Sequence, residues 1–262
     1  MSGAVQGVKG WIESHPYLAD LALLQEGVES AGSVPQRRRD PRSSDEIARG
    51  VPLLRSEALD PALFADAGKR IAAMAEALLA QALPPALLHE CRTLCVLLGE
   101  NPEAGTRLAR AVAGSDGEAP AGLASFLAWK ALGSLVPEGG AEDWNSSCCP
   151  TCGALPAMAQ LRESDRGRER HLVCGLCATS WRYARIGCPF CRNETVERLG
   201  VLEPEGEESF RIDFCRECNS YLKTYVGSGS EPLALSDWST LHLDAACAER
   251  GLRRGGPSLY DL

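Results

Sequence analysis

The chain has 262 residues, a formal net charge of −8, 45% hydrophobic residues and 24% charged residues. That length suits one large domain or two ordinary ones; the composition excludes a wholly disordered chain, and the charge excludes a protein that coats nucleic acid by bulk positive charge. Twelve cysteines are too few for a small disulfide scaffold and too regularly spaced for incidental packing.

At the start, Lys9, Glu13 and Asp20 interrupt the apolar residues too often for a signal peptide. No apolar run reaches the roughly 18 residues needed to cross a bilayer. The expectation is a cytoplasmic chain without membrane insertion. There thiols stay reduced, and paired cysteines serve as metal ligands or redox groups rather than as bridges. Arg37-Arg38-Arg39 is followed by Asp40-Pro41-Arg42-Ser43-Ser44-Asp45 and not by an apolar core, so it reads as a solvated loop rather than an export signal.

Next comes a helical pattern. Asp60 with Pro61 forms an N-cap with proline at the first helical position, and Leu63, Ala67, Ile71, Met74 and Leu78 mark one buried face. A second helix starts near Pro84-Pro85 with Leu87, Leu88, Cys91, Leu94, Cys95 and Leu98 inward. Cys91 and Cys95 share that face as core thiols. A third helix covers Glu103–Val112. A fourth follows Pro120, with Leu123, Phe126, Leu127 and Leu132 inward. Pro137-Glu138-Gly139-Gly140 ends the pattern.

Beyond it, short strands replace helices. Ala157–Leu161 and Glu169–Val173 flank a polar turn, Arg162–Arg168. Ser180–Ile186 is a strand carrying Trp181 and Tyr183. Thr195–Leu202 and Ser209–Phe214 flank the acidic turn Glu203–Glu208, and Tyr221–Val226 is a further strand. Ser236-Asp237 leads into one terminal helix, Trp238–Glu249, with Cys247 packed on it. The expected division is a helical domain over 1–143, a first metal unit over 144–186, and a second over 187–262 that includes the terminal helix. The fold class is α+β.

Four CxxC pairs fall within 70 residues: Cys149/Cys152, Cys174/Cys177, Cys188/Cys191 and Cys215/Cys218. Two intervening residues let the backbone bend tightly so that both sulfurs converge. Two such bends facing each other make a four-sulfur tetrahedral cage suited to zinc or iron. The pattern repeats: Cys149 to Cys188 is 39 residues and Cys174 to Cys215 is 41. Neighbouring pairs are separated by 21 and 23 residues, close to ribbon spacing of about 15–20 and each long enough for one hairpin; the middle two are separated by only 10. Two sequential, zinc-ribbon-like sites are therefore preferred over interleaved or nested ones, giving two metal ions per chain, iron or zinc. Cys148 reads as a spectator, and His171 as outside an already complete ligand set. Two other uses of the cysteines stay open: metal that only holds a core-poor domain together, and thiol–disulfide exchange, which usually needs a thioredoxin-like setting.

The segments Cys149-Pro-Thr-Cys-Gly-Ala-Leu-Pro156, Cys174-Gly-Leu-Cys-Ala-Thr-Ser-Trp181, Arg185-Ile-Gly-Cys-Pro-Phe-Cys191 and Cys215-Arg-Glu-Cys-Asn-Ser-Tyr-Leu-Lys223 resemble the formate dehydrogenase accessory protein family (FdhE-type) in order and spacing. So does the terminal Leu241-His-Leu-Asp244 with Ala248-Glu-Arg-Gly251. The resemblance spans 149–251. It implies rubredoxin-like cysteine sites and no turnover chemistry. It also implies a cytoplasmic maturation role, with contact to the catalytic subunit of a respiratory formate dehydrogenase. Two alternatives remain: a rubredoxin-like electron carrier or redox sensor, and a nucleic-acid-binding ribbon using Arg162, Arg166, Arg168, Arg170, Arg182 and Arg185. The net-acidic second half, with Lys223 its only lysine, argues against the latter.

Overall fold

The computed structural model describes residues 12–13, 15–32, 37–137, 143–165, 167–227 and 233–259. The chain is α+β and groups into two compact units: one drawn from residues 1–38 and 60–136, the other from 39–59 and 137–261. The sequence expected all of 1–143 in the helical part, yet 39–59 groups with the cysteine-rich half. The expected boundary turn lies mostly at 138–140, outside the described residues.

The first unit contains α1 (Ala19–Ser30), α3 (Ala62–Leu78), α4 (Pro85–Glu100), α5 (Ala104–Val112) and α6 (Gly122–Leu135). The α3 face is as the periodicity requires: Leu63, Ala67, Ile71, Met74 and Leu78 are all buried, and Asp60 accepts the Ala62 amide at 2.9 Å. Gly68 and Gly105 let α3 and α5 touch backbone to backbone; a Cβ on Gly68 would lie 2.6 Å from the Thr106 nitrogen. On α4, Cys91 and Leu94 are buried and Cys95 half-buried. Helix α1 has no counterpart in the sequence reading.

The second unit contains α2 (Ser44–Ala48), β1 (Pro156–Ser164), β2 (Gly167–Cys174), β3 (Ser180–Tyr183), β4 (Leu199–Leu202), β5 (Phe210–Cys215), β6 (Ser220–Tyr225), α7 (Leu233–Ser239), α8 (Leu241–Glu249) and β7 (Arg253–Arg254). The repeat is visible as two antiparallel meanders, β1–β2–β3 and β4–β5–β6. They merge into one sheet in the order β3-β2-β1-β6-β5-β4, because β1 pairs parallel with β6. The last strand of the second copy thus lies beside the first strand of the first copy. All six residues of β6 are buried. Met158, Ile212, Tyr221 and Tyr225 pack there with Leu243 and Cys247 of α8.

Three local expectations change. The polar turn is shorter than Arg162–Arg168, since β1 and β2 run on to Ser164 and Gly167. Arg162 faces Glu169 across the ladder, and Glu163 pairs with Arg168 at 2.6 Å, so cross-strand charge pairing extends the hairpin. The terminal helix is two helices broken at Thr240. The Ser239 and Thr240 hydroxyls donate to the Ser236 carbonyl at 3.2 and 2.6 Å and compete with the helical ladder. Finally, the Arg37–Asp45 stretch is not simply a solvated loop. Arg38 ion-pairs with Asp60 and with Asp66, Arg42 is buried, and Ser43 with Glu46 forms a capping box that starts α2.

Candidate metal centres

Each CxxC closes its own small loop of backbone. The Cys149 amide donates to Ala154 O (2.8 Å) and the Gly153 amide to Cys149 O (2.9 Å); Cys188, Asn193 and Arg192 repeat this arrangement at the same two distances. The Thr151 and Phe190 amides point at the sulfurs of Cys149 and Cys188, both at 3.4 Å. The residue after each second cysteine must turn left-handed: Gly153 (φ 83°), Ala178 (59°), Arg192 (60°) and Asn219 (54°). Those last three are the only non-glycine residues with positive φ among the described residues. Backbone strain of this kind persists only where the surroundings over-determine it.

The bends face each other in sequence-neighbouring pairs. Cys149, Cys152, Cys174 and Cys177 gather in one group, and Cys188, Cys191, Cys215 and Cys218 in another, with the sulfurs of each within 4.8 Å of one another. In the first, Cys149–Cys177 and Cys152–Cys174 are 3.5 Å apart and Cys152–Cys177 3.7 Å. In the second, Cys188–Cys218 is 3.6 Å and Cys191–Cys215 3.7 Å. A zinc–sulfur bond of about 2.3 Å gives a tetrahedron edge of about 3.8 Å, so both groups have the size of a four-thiolate site.

Electrostatics point the same way. The thiols of Cys149, Cys152 and Cys174 hydrogen-bond to Cys177 and hold it well below the ordinary thiol range, whereas hydrogen bonds with Cys149, Cys152 and Cys177 push Cys174 well above it. In the second group, burial alone would raise Cys218. Hydrogen bonds from the side chain and backbone of Ser220 and from Cys191 and Cys188 bring it down to about 7. Four clustered thiols cannot all ionise without a cation among them.

The two groups differ in cover. Around the first, Thr179 Oγ1 donates to Thr151 Oγ1 (2.9 Å) and lies 3.2 Å from Cys177 Sγ. Residues 39–59 close over its first bend: the Leu53 and Leu54 amides donate to Pro150 O (2.8 Å) and Thr151 O (2.9 Å). Arg42 Nη1 donates to Val51 O (2.8 Å) and Pro150 O (2.9 Å), and the guanidinium stacks 5.2 Å from the Trp144 ring. In the second group Cys191 is exposed.

The remaining candidates lie apart. Cys148 Sγ contacts Ser146 Oγ at 3.2 Å. His171 pairs with Glu169 at 3.7 Å, and burial and Arg162 lower its pKa. The arginines do not form one basic face: Arg168 and Arg182 pair with Glu163 and Glu169, Arg170 is buried, and Arg166 lies outside the described residues. The sequence reading also missed Lys223, which is buried in β6 and pairs with Asp237 (2.9 Å) and Asp244 (2.7 Å). Burial opposes ionisation of Asp237, but Lys223 and Arg254 outweigh it and keep its pKa low.

Residues 148–185, which hold the first cage, match the family model described as "FdhE, central domain". The similarity is to the FdhE family. The protein FdhE homolog of Stutzerimonas stutzeri is 38% identical over 124 residues, covering 45% of this chain and 39% of the relative. That of Pseudomonas aeruginosa is 34% identical over 176 residues, covering 60% and 56%. The aligned stretches thus span about two fifths to somewhat over half of these FdhE relatives. The crystal structure of the FdhE protein from Pseudomonas aeruginosa superposes with a TM-score of 0.59 at 24% identity, covering 93% of this chain and 88% of that one. At that identity the likeness to FdhE is one of fold. No helix among the described residues is long and apolar enough to cross a membrane.

Proposed function

We propose that this chain is a cytoplasmic accessory factor for a respiratory formate dehydrogenase. It binds that enzyme's catalytic subunit and carries out no turnover chemistry of its own. Its eight cage cysteines hold two ions, iron or zinc: one in the 144–186 part and one in the 187–262 part. The observation that carries this reading is the coincidence of the FdhE central-domain match with a four-sulfur cage of tetrahedral size. Two cages over one continuous sheet make a rigid platform, which suits binding better than a mobile catalytic cleft.

The ions would hold the bends in place, and iron would add one-electron exchange that zinc does not supply. The exposure of Cys191 favours a second reading, a redox-sensing or electron-transferring site at the second cage.

The test combines metal content with function. Anaerobically purified protein is expected to carry two equivalents of metal, one per four-cysteine group. Tagged chain should recover the catalytic subunit, and a deletion strain should make that subunit yet fail to oxidise formate. Normal formate oxidation in the deletion strain would overturn the accessory role. Visible thiolate-to-iron bands that bleach reversibly on reduction would favour the redox reading.

A further inference from the structure

Beside the second cage, and wholly within the second unit, lies a cavity of about 570 Å³. Three arginines line it, Arg170, Arg185 and Arg211, against a single carboxylate, Asp213. That carboxylate is already committed: its Oδ2 accepts the Thr224 hydroxyl at 2.7 Å, and its Oδ1 meets Arg211 Nε at 2.9 Å as an ion pair without hydrogen-bond alignment. The Arg170 side chain is 5% exposed and reaches Asp213 only at 4.0 Å. Its Nη1 donates to Gly187 O at 2.8 Å, but its buried Nε has no hydrogen-bond partner. An arginine so placed costs folding free energy unless an acceptor satisfies it.

The rim is apolar and open to solvent. Ile186, Val196 and Val201 are 59%, 61% and 48% exposed, and all three line this cavity. Val201 belongs to β4, the edge strand of the sheet. Edge strands accept extended peptides, whose alternate side chains then enter the adjoining pocket.

We propose that this cavity binds an extended segment of a partner protein in which acidic and aliphatic residues alternate, the carboxylates meeting Arg170 and Arg211 and the aliphatic groups covering Val201 and Ile186. The proposal rests on the accessory reading insofar as the partner is a client. Charge selects the occupant: the site is cationic on a chain of net charge −8, which disfavours a second copy of this chain.

The experiment uses full-length, metal-loaded protein and a fluorescein-labelled peptide alternating glutamate and leucine, followed by anisotropy. Saturable binding is expected. It should weaken at least about tenfold when lysine replaces glutamate in the peptide, and by as much in Val201→Glu protein of unchanged metal content; Val201→Lys should retain it. Arg170→Gln tests the buried cation, and the exposed Val201 variants keep the proposal testable if that variant fails to fold. Equal affinity for the lysine peptide, undiminished binding by Val201→Glu, or valerate binding as tightly as the peptide would each overturn the site. Capture of the catalytic subunit separates this idea from the one beneath it. If wild type and Val201→Glu capture it equally, the site falls and the accessory role stands. If wild type captures none while the peptide results hold, the accessory role falls and the site stands.

Discussion

The two cages share one backbone device and differ in what surrounds it. The first is closed: its sulfurs are buried or nearly so, two threonine hydroxyls bridge its bends, and residues 39–59 occupy the carbonyls of Pro150 and Thr151. The second leaves Cys191 at the surface and opens on one side to a cavity with an unsatisfied arginine. Duplication of the four-cysteine unit therefore does not duplicate its surroundings. The first cage is enclosed like part of the core, and the second presents a cysteine to solvent, which the proposed partner or redox reading would use.

The largest expected effect separates the cages by removing one ligand from each. Structural metal in small domains contributes apparent free energies of about 10–16 kcal/mol. Cys149→Ser should cost the second unit its cooperative unfolding and shift the fluorescence of Trp144 and Trp181, both buried beside the first cage. Cys191→Ser should lower metal content by one equivalent while leaving the tryptophan signal largely intact. Matching losses in both variants would erase the distinction.

Arg42→Met probes the seal itself. It takes one of two donors from the Pro150 carbonyl, which keeps the Leu53 amide, removes the Arg42 donor from the half-buried Val51 carbonyl, and leaves Asp40, which Arg42 ion-pairs at 2.5 Å, without its cation. Asp40 stays one-quarter exposed, so losing the charged hydrogen bonds costs about 1–3 kcal/mol, read as a lower urea midpoint of the second unit. A change below about 0.5 kcal/mol, the ordinary range for surface substitutions, would mean that the segment merely lies alongside the bend.

Chelation compares the cages without mutation. Metal should leave the second cage first, since a chelator reaches Cys191 directly. A rate ratio of at least about tenfold, equivalent to roughly 1.4 kcal/mol in barrier, is expected. A single exponential accounting for both ions would contradict it.

The cages were legible because a CxxC bend is local: spacing alone specifies two converging sulfurs. The helical faces of α3, α4 and α6 were legible for the same reason, through residues three and four apart. What sequence did not show is non-local. Nothing near Arg42 announces that its hydrogen-bond acceptors are Val51 and, more than 100 residues away, Pro150. The capping box at Ser43 and Glu46 was a readable sign that the stretch is ordered. Lys223 entered the sequence reading only as the single lysine of the second half, yet it sits in a strand flanked by sheet on both sides, where a lone cation needs partners. Asp237 and Asp244, seven apart, were the available hint. The parallel β1–β6 junction, which fuses the two repeats, left no local mark at all.

The smallest prediction concerns the left-handed residue that ends every bend. Left-handed backbone costs a non-glycine residue about 1–2 kcal/mol, and glycine gives back about 0.4–1 kcal/mol through its freer unfolded chain. Ala178 and Arg192 are both exposed, so their side chains contribute little to offset the strain. Ala178→Gly and Arg192→Gly should each stabilise metal-loaded protein by up to roughly 1 kcal/mol. Asn219→Gly should gain less, because asparagine tolerates this conformation through local hydrogen bonding. The reverse change, Gly153→Ala, should be the costliest of the set. It adds the same strain and also places a Cβ 3.0 Å from Pro52 Cγ, inside the segment that seals the first cage. Denaturation midpoints of the four variants give the ranking. If Gly153→Ala proved no worse than neutral, the tight closure of 39–59 over the first bend would be wrong. If Arg192→Gly destabilised the protein, the exposed arginine would be making a contact that its position at the edge of the second cage does not suggest.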